Sequence, residues 1–242
     1  CRRGAFIHCS TWRATKLNPG GLSEYFIAPA EIVKVDVLRI PESVSDERAA
    51  FTEPLACVVR SLRRAGFRQG DALAIIGMGV MGMLHLLLGQ AWGARRILAV
   101  DKLPHRLAFA ESLGATPLHA DDVPHTPETQ AEIVIVGPGN EPALELAFHL
   151  VAPDGAIVLF TPAPPDTRFP LNWHDAYFRE TRLIPSYSAS HLEMRQALLQ
   201  IAAGLPVEKL ITHRLPLERA PEGYELLRKA EALKVMVLHS GA

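Results

Sequence analysis

The chain has 242 residues, 48% of them hydrophobic and 21% charged, with a formal net charge of −1. That composition suits one large or two small folded domains, and near-neutrality gives no electrostatic support for nucleic-acid or membrane partners. Three cysteines, an odd and small number, argue against a disulfide scaffold and suit a reducing cytosol, and no apolar run approaches membrane-spanning length.

Residues 1–18 hold Cys1 and Cys9 without a clear period and read as a loop or lobe. Asn18-Pro-Gly-Gly21 is a turn signal, and residues 25–28 and 32–35 are predicted as short strands. Ser45 is placed to cap a helix through Phe51, with Asp46 and Glu47 in its first turn where the dipole favours acids. Residues 55–65 read as a further helix, ending on Arg63, Arg64 and Gly66 as a helix end should.

Residues 71–101 are the most informative stretch. Ala72–Ile76 is a short apolar run bounded by Gly70-Asp71 and reads as a buried strand. Gly77-Met-Gly79-Val-Met-Gly82 follows at once, then a run (83–92) apolar almost all round, which predicts a helix covered by a sheet. A second strand over 96–100 ends at Asp101. In this arrangement Gly77 allows a tight turn, Gly79 lets a pyrophosphate approach the backbone, and Gly82 lets the helix lie close to the strand. The helix N-terminus favours anions, and a carboxylate at Asp101 is placed to accept hydrogen bonds from a ribose, favouring NAD over NADP.

The alternation continues. A helix is predicted over 103–113, strands over 117–119 and 132–136, and a second glycine turn at Gly137-Pro-Gly139. A helix over 142–151, a turn at 153–155, a strand over 156–160 and another at Arg182–Pro185 complete a parallel sheet covered on both faces. The remaining elements are a helix (191–203), a strand (210–212), a helix (221–232) and a strand (Val235–Leu238). Cys57 reads as a small core residue, Arg95 and Arg96 as solvent-facing, and the ten histidines show no metal spacing.

Several ordered motifs resemble the zinc-dependent medium-chain dehydrogenases: Gly20-Gly-Leu-Ser-Glu-Tyr25, Thr52-Glu-Pro-Leu-Ala56, the glycine loop, Asp101 with Arg106 beyond it, and Ile211-Thr-His-Arg-Leu-Pro-Leu217 with Lys234-Val235. Ser186-Tyr-Ser188 is similar to a threonine- or iditol-dehydrogenase-like subset. The resemblance implies an α/β fold: a Rossmann doubly wound parallel sheet with the remnant of a GroES-like, mainly β catalytic domain. It implies a partial catalytic domain over 1–55, an NAD-binding domain over 56–190, and a C-terminal return to the catalytic domain over 191–242.

The same resemblance implies an oxidoreductase passing hydride from a secondary alcohol or polyol to NAD, in the cytoplasm, as a homodimer or homotetramer. Its dinucleotide contacts are Gly77, Gly79, Val80, Met81, Gly82, Asp101, Arg106 and Gly137; Arg106 reads equally well as a solvated helix residue. Glu53 faces catalytic zinc in such enzymes, directly or through water, and Cys1 and Cys9 match the last spacing of a four-cysteine structural zinc lobe. The other ligands are expected upstream of residue 1, in a longer parent, so this chain alone is expected to hold no catalytic zinc. The alternatives are a zinc-free quinone or enoyl reductase on the same scaffold and a non-catalytic NAD-binding module.

Overall fold

The computed structural model describes residues 4–239, which divide into two compact units: residues 4–56 with 188–239, and residues 57–187. The first unit opens with short helices, α1 (Ser10–Ala14), α2 (Ala30–Val35) and α3 (Asp46–Ala49). The strand expected over 32–35 is therefore helical. Pro29 fixes an extended N-cap, and Glu31 lies in the first turn with Lys34 in the last, as the helix dipole favours. Residues 25–28 make one antiparallel bridge, Ile27 to Asn18, rather than a strand. Ser45 caps α3 by accepting from the Arg48 amide. The long α4 (Thr52–Ala65) then carries the chain into the second unit.

In the second unit the alternating pattern becomes β1 (Ala72–Ile76), α5 (Val80–Ala91), β2 (Arg96–Asp101), α6 (Pro104–Ser112), β3 (Thr116–His119), β4 (Ala131–Val136), α7 (Glu141–Leu150), β5 (Val151–Leu159), α8 (Trp173–Phe178) and β6 (Arg182–Pro185). The strands form one parallel six-stranded sheet in the order β3-β2-β1-β4-β5-β6. Every residue of β1 is buried, which is why that run is continuously apolar rather than alternating. The turn expected at 153–155 is an irregularity inside β5: Ala131 pairs with Val151 and Ile133 with Ala156, and Asp154 takes φ of 58° between them. Apolar side chains of β1, β2, β4, β5 and α7 form one core under the sheet.

The chain then returns to the first unit with α9 (His191–Ala202), β7 (His213–Pro216), α10 (Ala220–Arg228) and β8 (Val235–Leu238). The expected strand at 210–212 is displaced. Residues Val207–Leu210 form a 3₁₀ turn, and pairing begins at His213, opposite Val235. Of the β structure anticipated for this unit, the described residues hold the β7–β8 pair and the Asn18–Ile27 bridge. Arg48 joins α3 to the end of α9 by donating to the Ile201 carbonyl at 2.6 Å, and Arg214 forks onto Glu47. Among the described residues no helix is long and apolar enough to cross a membrane.

At the amino edge of the sheet Glu132 accepts from the Ala72 amide at 2.7 Å and takes both guanidinium nitrogens of Arg95 at 2.8 and 2.9 Å. Arg95 is thus paired rather than simply solvent-facing, and Arg96 donates to the Gln130 carbonyl. Glu132→Ala should leave the Ala72 amide without its acceptor and cost about 1 kcal/mol, a fall of roughly 2–4 °C in Tm by differential scanning calorimetry.

Candidate functional site

The sheet reverses direction of growth between β1 and β4, so the loops after these two strands diverge and leave a crevice at their carboxyl ends. Both loops are glycine turns. Gly77 follows β1 with φ of 92°, a left-handed conformation that an L side chain resists, and its amide donates to the Val100 carbonyl at 2.7 Å. Gly137 follows β4 and donates to the Ile76 carbonyl at 2.9 Å; a Cβ there would lie 2.7 Å from that oxygen. The two loops therefore pack backbone on backbone.

Gly82 is the tightest point. A Cβ on it would sit 2.1 Å from the Gly77 carbonyl oxygen, so only glycine lets α5 start this close to β1. Gly79 is the opposite case. It is the N-cap of α5, contributes no side-chain cap, and a Cβ on it would meet nothing within 4 Å. The first-turn amides of α5, from Val80 and Met81 onward, have no intrahelical acceptor and open onto that space. Such a helix start suits a phosphate or pyrophosphate, so the residues present fit the diphosphate of a dinucleotide.

Asp101 ends β2 and is almost fully buried. Its Oδ2 accepts from the Met78 amide in the glycine loop at 2.7 Å, and its Oδ1 from the Leu103 amide ahead of α6 at 2.9 Å. The carboxylate thus has a structural duty that the sequence did not disclose: it ties the glycine loop to the second strand. Each oxygen keeps one further lone-pair direction for ribose hydroxyls. Arg106, half-buried on α6, has a guanidinium nitrogen 3.8 Å from Oδ2, so it faces the acid rather than bulk solvent alone. Gly77, Gly79, Val80, Met81, Gly82, Asp101, Arg106 and Gly137 all lie in the second unit around these two loops and the end of β2.

The metal candidates are placed differently. Glu53 lies exposed in the first turn of α4, in the first unit, and Cys9 is a half-buried free thiol at the N-cap of α1. Hydrogen bonding to the Trp12 and Thr11 amides lowers the Cys9 thiol below its ordinary value. Cys1 lies outside the described residues. Among the described residues no three His, Cys, Asp or Glu side chains are grouped to hold a metal ion, so these residues do not fit a zinc centre by themselves. Cys57 is half-buried on α4 rather than a core residue.

One polar cluster was missed from sequence. His85 and Ser61 are fully buried, with Ser61 Oγ 2.6 Å from His85 Nε2 and His85 Nδ1 2.8 Å from the Met81 carbonyl. The only signal was an ionisable residue in the middle of an apolar helix. Burial pushes the His85 imidazole down to about 4, with the Met81 carbonyl opposing the shift.

A family model for zinc-binding dehydrogenases matches residues 80–203. Sorbitol dehydrogenase of Bombyx mori is 26% identical over 251 residues, covering 98% of this chain and 70% of that protein. D-altritol 5-dehydrogenase of Agrobacterium fabrum is 30% identical over 224 residues, covering 90% of this chain and 65% of that protein. Among solved structures, alcohol dehydrogenase TADH from Thermus sp. ATN1 superposes with a TM-score of 0.84 at 30% identity, over 97% of this chain and 74% of that one.

His85 sets an expected pH dependence. Its folded pKa lies below the unfolded value of about 6.5, so its contribution to stability is complete above pH 6.5 and is lost as pH falls toward 4. Urea unfolding at pH 7.5 and 4.5 should show the wild type losing roughly 2–3 kcal/mol more than His85→Gln over this range. Equal losses would mean that His85 is not the group responsible.

Proposed function

The chain belongs to the zinc-dependent medium-chain dehydrogenases, and from that premise we propose that it supplies the dinucleotide-holding part of an NAD-linked dehydrogenase of secondary alcohols or polyols. The observation that carries this reading is the unfilled space at Gly79, in front of the uncapped start of α5 and beside Asp101. The sorbitol and altritol dehydrogenases among its relatives support the polyol class of substrate.

In this reading the protein's work is binding and orientation. The first-turn amides of α5 take the pyrophosphate, and the gap left by Gly79 lets it reach them. Asp101 accepts from the adenosine ribose, while its buried charge repels a 2′-phosphate, which favours NAD over NADP. Gly137 keeps the β4 turn flush against β1, so the crevice stays open for the rest of the dinucleotide. A nicotinamide dinucleotide held by these residues would supply the acceptor for the alcohol's carbinol hydride, the hydroxyl proton leaving to solvent.

Two glycine variants test the site against the fold. Gly79→Ala should fold with an unchanged Tm yet bind NAD about tenfold more weakly by isothermal titration calorimetry, since its methyl enters space that the pyrophosphate needs. Gly82→Ala should instead lower stability by roughly 2–4 kcal/mol, because its methyl collides with backbone. The unmutated chain should prefer NAD to NADP by about tenfold or more. Equal affinity for the two would remove the role given to Asp101, and unaltered NAD binding by Gly79→Ala would remove the pyrophosphate from this crevice.

We also propose a two-fold contact between copies along β6. It is an edge strand with Leu183 43% exposed, and its outer backbone groups offer a template for a second copy. Light scattering should show a dimer that Leu183→Asp shifts toward monomer; a monomer at high concentration would rule this contact out.

A further inference from the structure

An anion-binding helix start poses a positioning problem. The first turn of α5 has no side-chain cap, because Gly79 supplies none, and a cap there would block the pyrophosphate. The turn must therefore be secured from its carbonyl side. In this protein the Met81 carbonyl accepts the His85 backbone amide, as any helix carbonyl accepts from four residues on, and also faces His85 Nδ1 at 2.8 Å. The other ring nitrogen reaches Ser61 on α4 at 2.6 Å, and the ring stands edge-on to Phe160, just past β5, with centroids 4.8 Å apart. The first turn is thus linked through one imidazole to a second helix and braced against the carboxyl end of the sheet.

The protons follow from the acceptors. A carbonyl can only accept, so Nδ1 carries the hydrogen and Nε2 offers a lone pair, which the Ser61 hydroxyl fills. The hydroxyl has one hydrogen, which the Val58 carbonyl, 3.0 Å from Ser61 Oγ, shares with the closer Nε2. Every polar atom of the ring is satisfied without water. A leucine at position 85 would match the rest of this apolar helix. What the imidazole adds is two directed bonds, one of them onto the turn that presents the binding amides.

We propose that His85 is a positioning residue: its imidazole, held by Ser61, fixes the Met81 carbonyl and with it the first turn of α5 that receives the dinucleotide's pyrophosphate. This rests on the dinucleotide reading above, and the test separates the two. In the full chain, His85→Leu, His85→Gln and Ser61→Ala are compared with wild type for NAD affinity by calorimetry and for amide hydrogen exchange. The Met83 amide, bonded to the Gly79 carbonyl at 2.9 Å, and the Leu84 amide report the first turn, with Ile133 and Ile135 in β4 as a distant control.

His85→Leu should weaken NAD about tenfold and speed exchange at Met83 and Leu84 by at least tenfold relative to β4. His85→Gln, whose amide can donate to the Met81 carbonyl and accept from Ser61, should stay within about twofold of wild type in both readouts. Ser61→Ala should shift both in the same direction as His85→Leu, by less, and decides the matter if the leucine variant does not fold. A lower Tm for His85→Leu with unchanged relative exchange at Met83 and Leu84 would overturn the proposal and leave His85 an ordinary core residue. Lost protection with unaltered NAD affinity would overturn it too. A wild-type chain that binds no NAD refutes the dinucleotide reading, while the exchange comparison still decides whether His85 secures the turn.

Discussion

The second unit depends on one close approach, that of α5 to the end of β1. A Cβ at Gly82 would stand 2.1 Å from the Gly77 carbonyl, and at Gly89, further along the same helix, it would meet Leu73 at 2.4 Å. Removing two side chains lets the helix lie flat on the strand it follows. Its amino end is then aimed over the carboxyl edge of the sheet, where the strand order reverses. The close contact and the aim of the helix start share one cause. A helix held further from the sheet would carry the same dipole but point it elsewhere.

Around that contact the polar groups are arranged to hold the loop without occupying it. Asp101 grips the Met78 amide with one oxygen and the Leu103 amide with the other. Two backbone bonds to one almost buried carboxylate explain how a charge is tolerated there, with Arg106 close by. On the opposite side, Ser61, His85 and the Met81 carbonyl form a second tie. The space at Gly79, where an added Cβ would meet nothing within 4 Å, is left free by both attachments. Preorganisation of this kind means that a ligand does not have to order the turn as it binds.

The first unit obeys different constraints. Its described residues are joined by long polar side chains, such as Arg48 to the end of α9 and Arg214 to Glu47, more than by extended ladders. Glu53 and Cys9 both lie in it, and neither belongs to a set of three metal-binding groups among the described residues. The two glycine loops, by contrast, lie wholly within residues 57–187, where the Gly77 amide bonds to Val100 and the Gly137 amide to Ile76.

The sequence by itself determined the parallel sheet and the place of its glycine loop. Apolar runs of strand length, each closed by Gly or Asp and followed by an amphipathic or apolar helix, admit little else, and β6 and β8 fall on the residues expected. It was least decisive where local pattern is weak. Residues 32–35 are mostly β-branched, as strands often are, yet with no neighbouring strand to pair they follow the helix dipole, and pairing in β7 starts at His213 because that is where Val235 stands opposite. Tertiary structure alone decided the bond of Asp101 to the Met78 amide, the contact between Gly137 and Ile76, and the joining of Ser61 to His85. These pairs lie far apart in the chain, and no periodicity records which hydroxyl will meet which imidazole. Only the tertiary fold brings Ser61 of α4 within hydrogen-bonding distance of His85 of α5.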